Sequence, residues 1–237
     1  MKLEDAVAQG ILNRTYATLR ATLRADCCIA ASTIFAAVLK NFGFRSELVS
    51  VRFSVFNPKF AKWLEANSWR DPNEAEVKQL QKEGARVVVA GDGGKPKPGK
   101  WPGHLVTVVH PKHGIGSGYL IDLSAPQVNR PDRQINVAQP VRIEMPGDQL
   151  RAFVNGKLAA RGKRADASVL DYFAKKGDAT YQVSPDWSER KTRYGEHVDE
   201  LTKGIREFVR AAAATPPASG VGGASAAGAQ EDKVPKV

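Results

Sequence analysis

Hydrophobic and polar positions alternate with two different periods along this chain, and the switches between them predict its elements. Ile11, Leu12, Tyr16, Leu19 and Leu23 recur at helical spacing and predict a first helix over 4–23. A second is expected from Asp26, which can cap it, through Ala30, Phe35, Val38 and Leu39, stopping before Gly43. The period then shortens, and Leu48, Val49, Val51 and Phe53 mark a strand over 47–53. Segments 60–69 and 73–82 read as helices broken at Asp71-Pro72, and 86–90 as a strand. Gly and Pro dominate 91–103, which excludes regular structure there. Strands are expected at 104–110 and 118–123, joined by a Gly-rich turn, and again at 141–144. Asn155-Gly156, between 151–154 and 157–160, is the strongest short hairpin signal in the chain. A helix is expected over 167–175 and a short strand over 180–183. After Ser184-Pro185 a last amphipathic helix carries Tyr194, Val198, Leu201, Ile205 and Phe208 on one stripe. Helices first and strands clustered mid-chain predict an α+β domain with a mostly antiparallel sheet.

Composition trims this picture at one end. From about Ala211 the sequence collapses to Ala, Gly, Pro and Ser without an aromatic residue, so 211–237 is expected to be a disordered tail behind a domain spanning 1–210. No apolar run approaches the roughly 20 residues that cross a bilayer. The opening MKLEDAVAQG puts acids where an export signal needs an apolar stretch, so a cytoplasmic protein with no membrane partner is expected. The net charge of +10 admits nucleic acid as a partner. However, only Lys157, Arg161, Lys163 and Arg164 cluster, and no zinc-finger, RNP-type or helix-turn-helix pattern accompanies them. A solvated basic face is the plainer reading.

Candidate chemistry concentrates at the two cysteines, Cys27 and Cys28. Adjacent cysteines cannot build a disulfide framework, so a reducing compartment is expected and the thiols need another role. They open a predicted helix, His104 opens a strand, and Asp122 sits inside the next strand. A helix N-terminus favours the thiolate. A histidine in reach takes the proton and later returns it to a leaving group. A carboxylate on its other nitrogen fixes the tautomer and stabilises the imidazolium. Neighbouring antiparallel strands can hold His104 beside Asp122. Both helix faces, one with Cys27 and one with Cys28, are apolar, so periodicity does not choose between them. Taken singly, each residue has a plainer role, a buried thiol as small apolar filling above all; together, in this order, they point to a Cys-His-Asp triad.

Other motifs carry less. Residues 94–100, GKPKPGK, match the skeleton of a phosphate loop, but Trp101 stands where Ser or Thr is needed and two prolines remove N–H groups. A surface flap beside His104, with Trp101 lining a substrate cleft, accounts for it better. His110 and His113 lack the further ligands of a metal centre, and no metal or cofactor is expected. Ser124, Gln127 and Asn129 lie near enough in sequence to Asp122 to assist, and nothing selects among them.

The segment DCCIAASTIFAAVLKNFGFRSELVSV resembles the nucleophile helix and following strand of the transglutaminase-like superfamily of papain-like thiol enzymes. GHLVTVV followed by YLIDLSAPQ resembles that superfamily's His and Asp strands, and the Cys, His, Asp order is similar to that of the arylamine N-acetyltransferases. The likeness covers roughly 26–53 and 101–126. Setting Gly43 on the family's post-helix glycine places the nucleophile on Cys28, with His104 as base and Asp122 as its orienting partner. Because helix-start amides point at developing charge, an oxyanion hole there should include the Cys28 N–H. The resemblance implies a papain-like α+β fold and a thioester route acting on a peptide, amide or small acyl substrate. Segment 57–103 is longer than in many relatives, and no acetyl-CoA loop is recognisable. Two rival expectations are a catalytically inactive papain-like interaction domain and a basic nucleic-acid-binding module.

Overall fold

A computed structural model describes residues 3–22, 28–91, 101–111 and 116–214. Two helices open the chain, α1 (Leu3–Thr22) and α2 (Cys28–Asn41), the second closed by Gly43 at φ 78°. Strand β1 (Ser46–Phe56) follows, then α3 (Pro58–Ala66) and α4 (Glu74–Lys82). Asn57 and Asn73 cap these two helices, and α3 stops ahead of Asp71-Pro72 because Ser68 and Trp69 turn left-handed. Strands β2 (Val87–Ala90), β3 (His104–Val109), β4 (Ser117–Asp122) and β5 (Val141–Pro146) come next. Helix α5 (Gly147–Val154), strands β6 (Ala160–Lys163) and β7 (Val169–Ala174), a short α6 (Pro185–Ser188) and the long α7 (Arg190–Ala214) complete the order.

All strand pairs are antiparallel, in the order β5-β4-β3-β1-β7-β6 with β2 also on β1. The sheet curls until its outer strands meet: a Cβ on Gly162 of β6 would stand 3.3 Å from Ile143 of β5. Alternation along the strands fills this nearly closed sheet with Val51, Phe53, Val106, Val108, Leu120, Leu170 and Tyr172, and Leu150 and Phe153 of α5 join that core. The opposite face of β3 and β4 carries α2, whose Ile34, Phe35 and Val38 pack with Val109 and Ile121, and with Tyr194, Leu201 and Ile205 of α7. The architecture is thus mixed helix and antiparallel sheet, with the N-terminal helices on one face.

Three local expectations fail, each for a physical reason. Asn155-Gly156 is not a hairpin turn. It ends α5 in a Schellman cap, with Gly156 at φ 67°, its N–H donating to Phe153 O, and Lys157 N–H donating to Ala152 O. The same dipeptide suits both motifs because both need a left-handed residue. Residues 169–174 form a strand, not a helix, since Leu170, Tyr172 and Ala174 alternate into the core and long-range pairing with β1 and β6 overrides local propensity. Residues 180–183 form a 3₁₀ turn rather than a strand. The last helix runs past Arg210 to Ala214; most of the expected tail lies outside the described residues, as do Leu23, Asp26 and the turn at 112–115.

Candidate active site

The backbone around His104 follows from an interrupted strand edge. Ser46–Val51 of β1 pairs with β3, while Phe53–Phe56 pairs with β2 on the same edge, so β2 and β3 lie end to end. The chain leaves this edge after Ala90 and rejoins it at His104. Gly91, at φ 77°, makes the exit: a Cβ there would meet His104 Cβ at 2.8 Å and collide with Val51 O. Lys175 Nζ donates to Gly91 O and fixes it from the β7 side.

His104 points into the sheet interior and is fully buried. The register Thr107↔Ile121 puts Asp122 opposite Val106, so His104 reaches Asp122 diagonally rather than directly across. His104 Nε2 lies 2.7 Å from Asp122 Oδ2. The Tyr172 hydroxyl donates to the same oxygen at 3.0 Å, and the Ser124 N–H and hydroxyl both donate to Oδ1 at 2.9 Å. Both carboxylate oxygens are therefore satisfied, as a fully buried charge requires. Phe53 stacks between the His104 and Tyr172 rings, with centroids at 5.2 and 4.2 Å. Burial and the Asp122 charge push the Tyr172 phenol well above its ordinary pKa, so it stays a donor.

Cys28 begins α2 and is buried, with Sγ 4.0 Å from Gly103 O. Burial pulls the His104 pKa down, but the Asp122 charge and hydrogen bond, joined by the Cys28 thiol, raise it from 6.5 to about 10. On the other ring nitrogen, Gln127 Nε2 lies 2.8 Å from Nδ1, a donor contact suited to the neutral ring. An imidazolium would instead donate from Nδ1, to Gln127 Oε1 after a half-turn of the amide or to Cys28. The upward direction stands, because the Asp122 contact persists in either amide orientation.

Trp101 packs against the cluster of Cys28, Ile29, Leu105 and Tyr181. Its Nε1–H donates to Thr180 Oγ1 at 2.9 Å, and its ring lies so close over Gly103 that a Cβ there would collide with it. Of the other three polar candidates, Ser124 reaches Asp122 and Gln127 reaches His104. Asn129 instead accepts from Val137 N–H and braces a loop. Tyr172 had no signal in the sequence, since only the pairing of β7 with β1 brings it to Asp122. Cys27 and 94–100 lie outside the described residues.

No family model, curated protein or solved structure matches this chain.

The remaining candidates are otherwise engaged. Arg161 binds Asp171 at 2.9 Å and covers the Trp69 ring, and Lys163 reaches Glu65 at 3.1 Å, so half of the basic cluster is neutralised locally. His110 Nε2 lies 2.7 Å from Glu47 Oε1, and His113 is outside the described residues. Among the described residues no group of three metal-ligating side chains forms, and no helix is long and apolar enough to cross a membrane.

Proposed function

We propose that this chain is a thiol-dependent acyl transferase or amide hydrolase with a papain-like, transglutaminase-like domain. The observation that carries it is a fully buried His104 bonded to Asp122 at 2.7 Å, with Cys28 at the start of α2 and its Sγ 4.0 Å from the carbonyl of Gly103, the residue beside His104. Cys28 passes its proton to His104 Nδ1, and the thiolate attacks a carbonyl carbon, forming an S–C bond as the carbonyl pair moves to oxygen. The Cys28 N–H, at the start of α2, is the natural donor to that oxyanion. Collapse expels the leaving group, which takes the proton from His104 and leaves a thioester. Water or an amine then attacks, gives its proton to His104, and the thiol is regenerated when His104 returns it. Asp122, held by Tyr172 and Ser124, orients the ring throughout. Trp101 walls the approach.

A second reading, a domain that keeps the fold without turnover, draws on Gln127 at Nδ1, where the thiol proton must land. Incubation with p-nitrophenyl acetate followed by peptide mass spectrometry separates the two. Acetyl transfer to Cys28, lost in His104→Ala, is the expected result. A folded protein that acquires no acetyl group on Cys28 and releases p-nitrophenolate no faster than buffer would support the inactive domain.

A further inference from the structure

Just past the end of β7 the chain ties itself to β1 and to the strand edge beside His104. Lys175 N–H donates to Ser50 O at 2.8 Å, and Lys175 Nζ holds Gly91 O. Asp178 then closes a turn, its N–H donating to Lys175 O at 3.0 Å. Its carboxylate collects three donors: the Ser50 hydroxyl on Oδ2 at 2.7 Å, and the Thr180 N–H and hydroxyl on Oδ1 at 2.9 and 2.6 Å. Burial alone would raise the Asp178 pKa. The Ser50 and Thr180 hydrogen bonds and the Lys175 charge outweigh it and hold the carboxyl below its ordinary value. Ser50 is buried and sits opposite Leu105 in the pairing of β1 with β3, next to the Val51–His104 pair.

The same network reaches the thiol. Thr180 has one hydroxyl proton, which goes to Asp178, so its oxygen is left to accept the Trp101 Nε1–H at 2.9 Å. The next residue, Tyr181, meets the Trp101 ring edge-on at 5.8 Å. Trp101 packs on the cluster of Cys28, Ile29 and Leu105, and its ring lies against Gly103, whose carbonyl is 4.0 Å from Cys28 Sγ. The second side-chain torsion of tryptophan is broad and roughly two-fold, so packing alone leaves the ring more than one orientation. A bond to Nε1, on one edge of the ring, selects one. Neither Asp178 nor Thr180 hydrogen-bonds to Cys28, His104 or Asp122 among the described residues, so their effect on the thiol runs through Trp101.

We infer that Asp178 and Thr180 are positioning residues that hold Trp101 as a fixed wall beside Cys28, and so restrict the site to compounds that are slender close to the reacting carbon. The inference rests on the thiol reading for its place in a reaction, but a fixed wall excludes bulk whether or not the thiol is activated.

A matched pair of probes tests it on the full chain. Iodoacetamide and N-tert-butyliodoacetamide share the reacting carbon and differ only in the group on nitrogen. Their rates at Cys28 are followed by peptide mass spectrometry, each divided by its rate with free cysteine. The native protein is expected to disfavour the branched probe. Thr180→Val and Asp178→Ala should each raise the branched probe's rate about fivefold, the worth of one hydrogen bond, and change that of iodoacetamide by less than about twofold. Thr180→Ser, which keeps the hydroxyl, should retain the native ratio. Trp101→Phe, which keeps a ring but loses the N–H, should raise the ratio by itself and make a further Thr180→Val change silent. A general loosening of the fold would instead speed both probes together and ignore the Trp101→Phe background. That outcome, a ratio unchanged in Thr180→Val, or a native ratio equal to that of free cysteine overturns the positioning role. A ratio that shifts as expected on a Cys28 no more reactive than a free thiol supports the wall and overturns the thiol reading. An activated Cys28 whose ratio ignores Thr180 overturns the wall and leaves the thiol reading standing.

Discussion

Strand β3 is flanked by two histidines that make the same contact and differ in everything around it. His104 at its start and His110 just past its end each place Nε2 2.7 Å from a carboxylate oxygen. The His104–Asp122 side chains are 1% and 0% exposed, whereas those of His110–Glu47 are 16% and 42% exposed. Asp122 receives three further donors, and a second polar group reaches His104 Nδ1; no other hydrogen bond to the Glu47 or His110 side chain occurs among the described residues. The lesson is that a 2.7 Å histidine–carboxylate contact does not make a site. Exclusion of water and completion of the acid's hydrogen bonds are what set His104–Asp122 apart from His110–Glu47.

Removing the carboxylate should separate the two pairs most sharply. Asp122→Ala strands a buried imidazole and the Tyr172 and Ser124 hydroxyls, and is expected to cost about 3–5 kcal/mol in denaturant unfolding. The same variant should slow Cys28 alkylation by about 100-fold.

The pH dependence comes next. The folded-state pKa of His104 is raised from 6.5 to about 10, so the pair's stabilisation is complete below pH 6.5 and is lost as pH climbs through 10. Melting temperature should therefore decline across that window in the native protein, and His104→Asn should flatten the slope. An unchanged slope would remove His104 as its source.

Tyr172→Phe deletes one donor to Asp122 and is expected to cost about 1–3 kcal/mol. A smaller loss would mean that water or Ser124 replaces the phenol.

Gln127→Ala should act through His104 alone. With His104 held protonated at pH 6 and pH 9 alike, losing the amide should change alkylation by about threefold at most at either pH, with no change in stability beyond about 1 kcal/mol. A larger slowing at pH 6 would show Gln127 assisting the ring. Glu47→Gln, the counterpart at the exposed pair, should shift stability by less than about 1 kcal/mol and leave alkylation untouched.

Much of the fold was legible because periodicity and local chemistry agreed. Ile11, Leu12 and Leu19 of α1 do face the core, Gly43 does end α2, and β1, β3 and β4 form where the sequence expects strands. Misreadings arose where one local signal serves two structures, as at Asn155-Gly156, or where pairing partners far along the chain decide, as for β7. The site divides the same way. His104 and Asp122 stood out by residue type and order. Tyr172 did not, because it reaches Asp122 only once β7 pairs beside Phe53. Ser124 and Gln127 were visible as polar neighbours, but their partners depend on how the 3₁₀ turn Ala125–Val128 folds back over the strand end. Gly91 read as one more loop glycine, although its lack of a side chain lets the strand edge close against His104.

The most direct test of the proposed nucleophile is iodoacetamide alkylation at pH 6.5, quantified for Cys27 and Cys28 separately by peptide mass spectrometry. Activation by His104 predicts that Cys28 reacts at least tenfold faster than a free thiol and that His104→Ala removes the advantage. A Cys28 rate no greater than that of a free thiol, or one indifferent to His104, would contradict it.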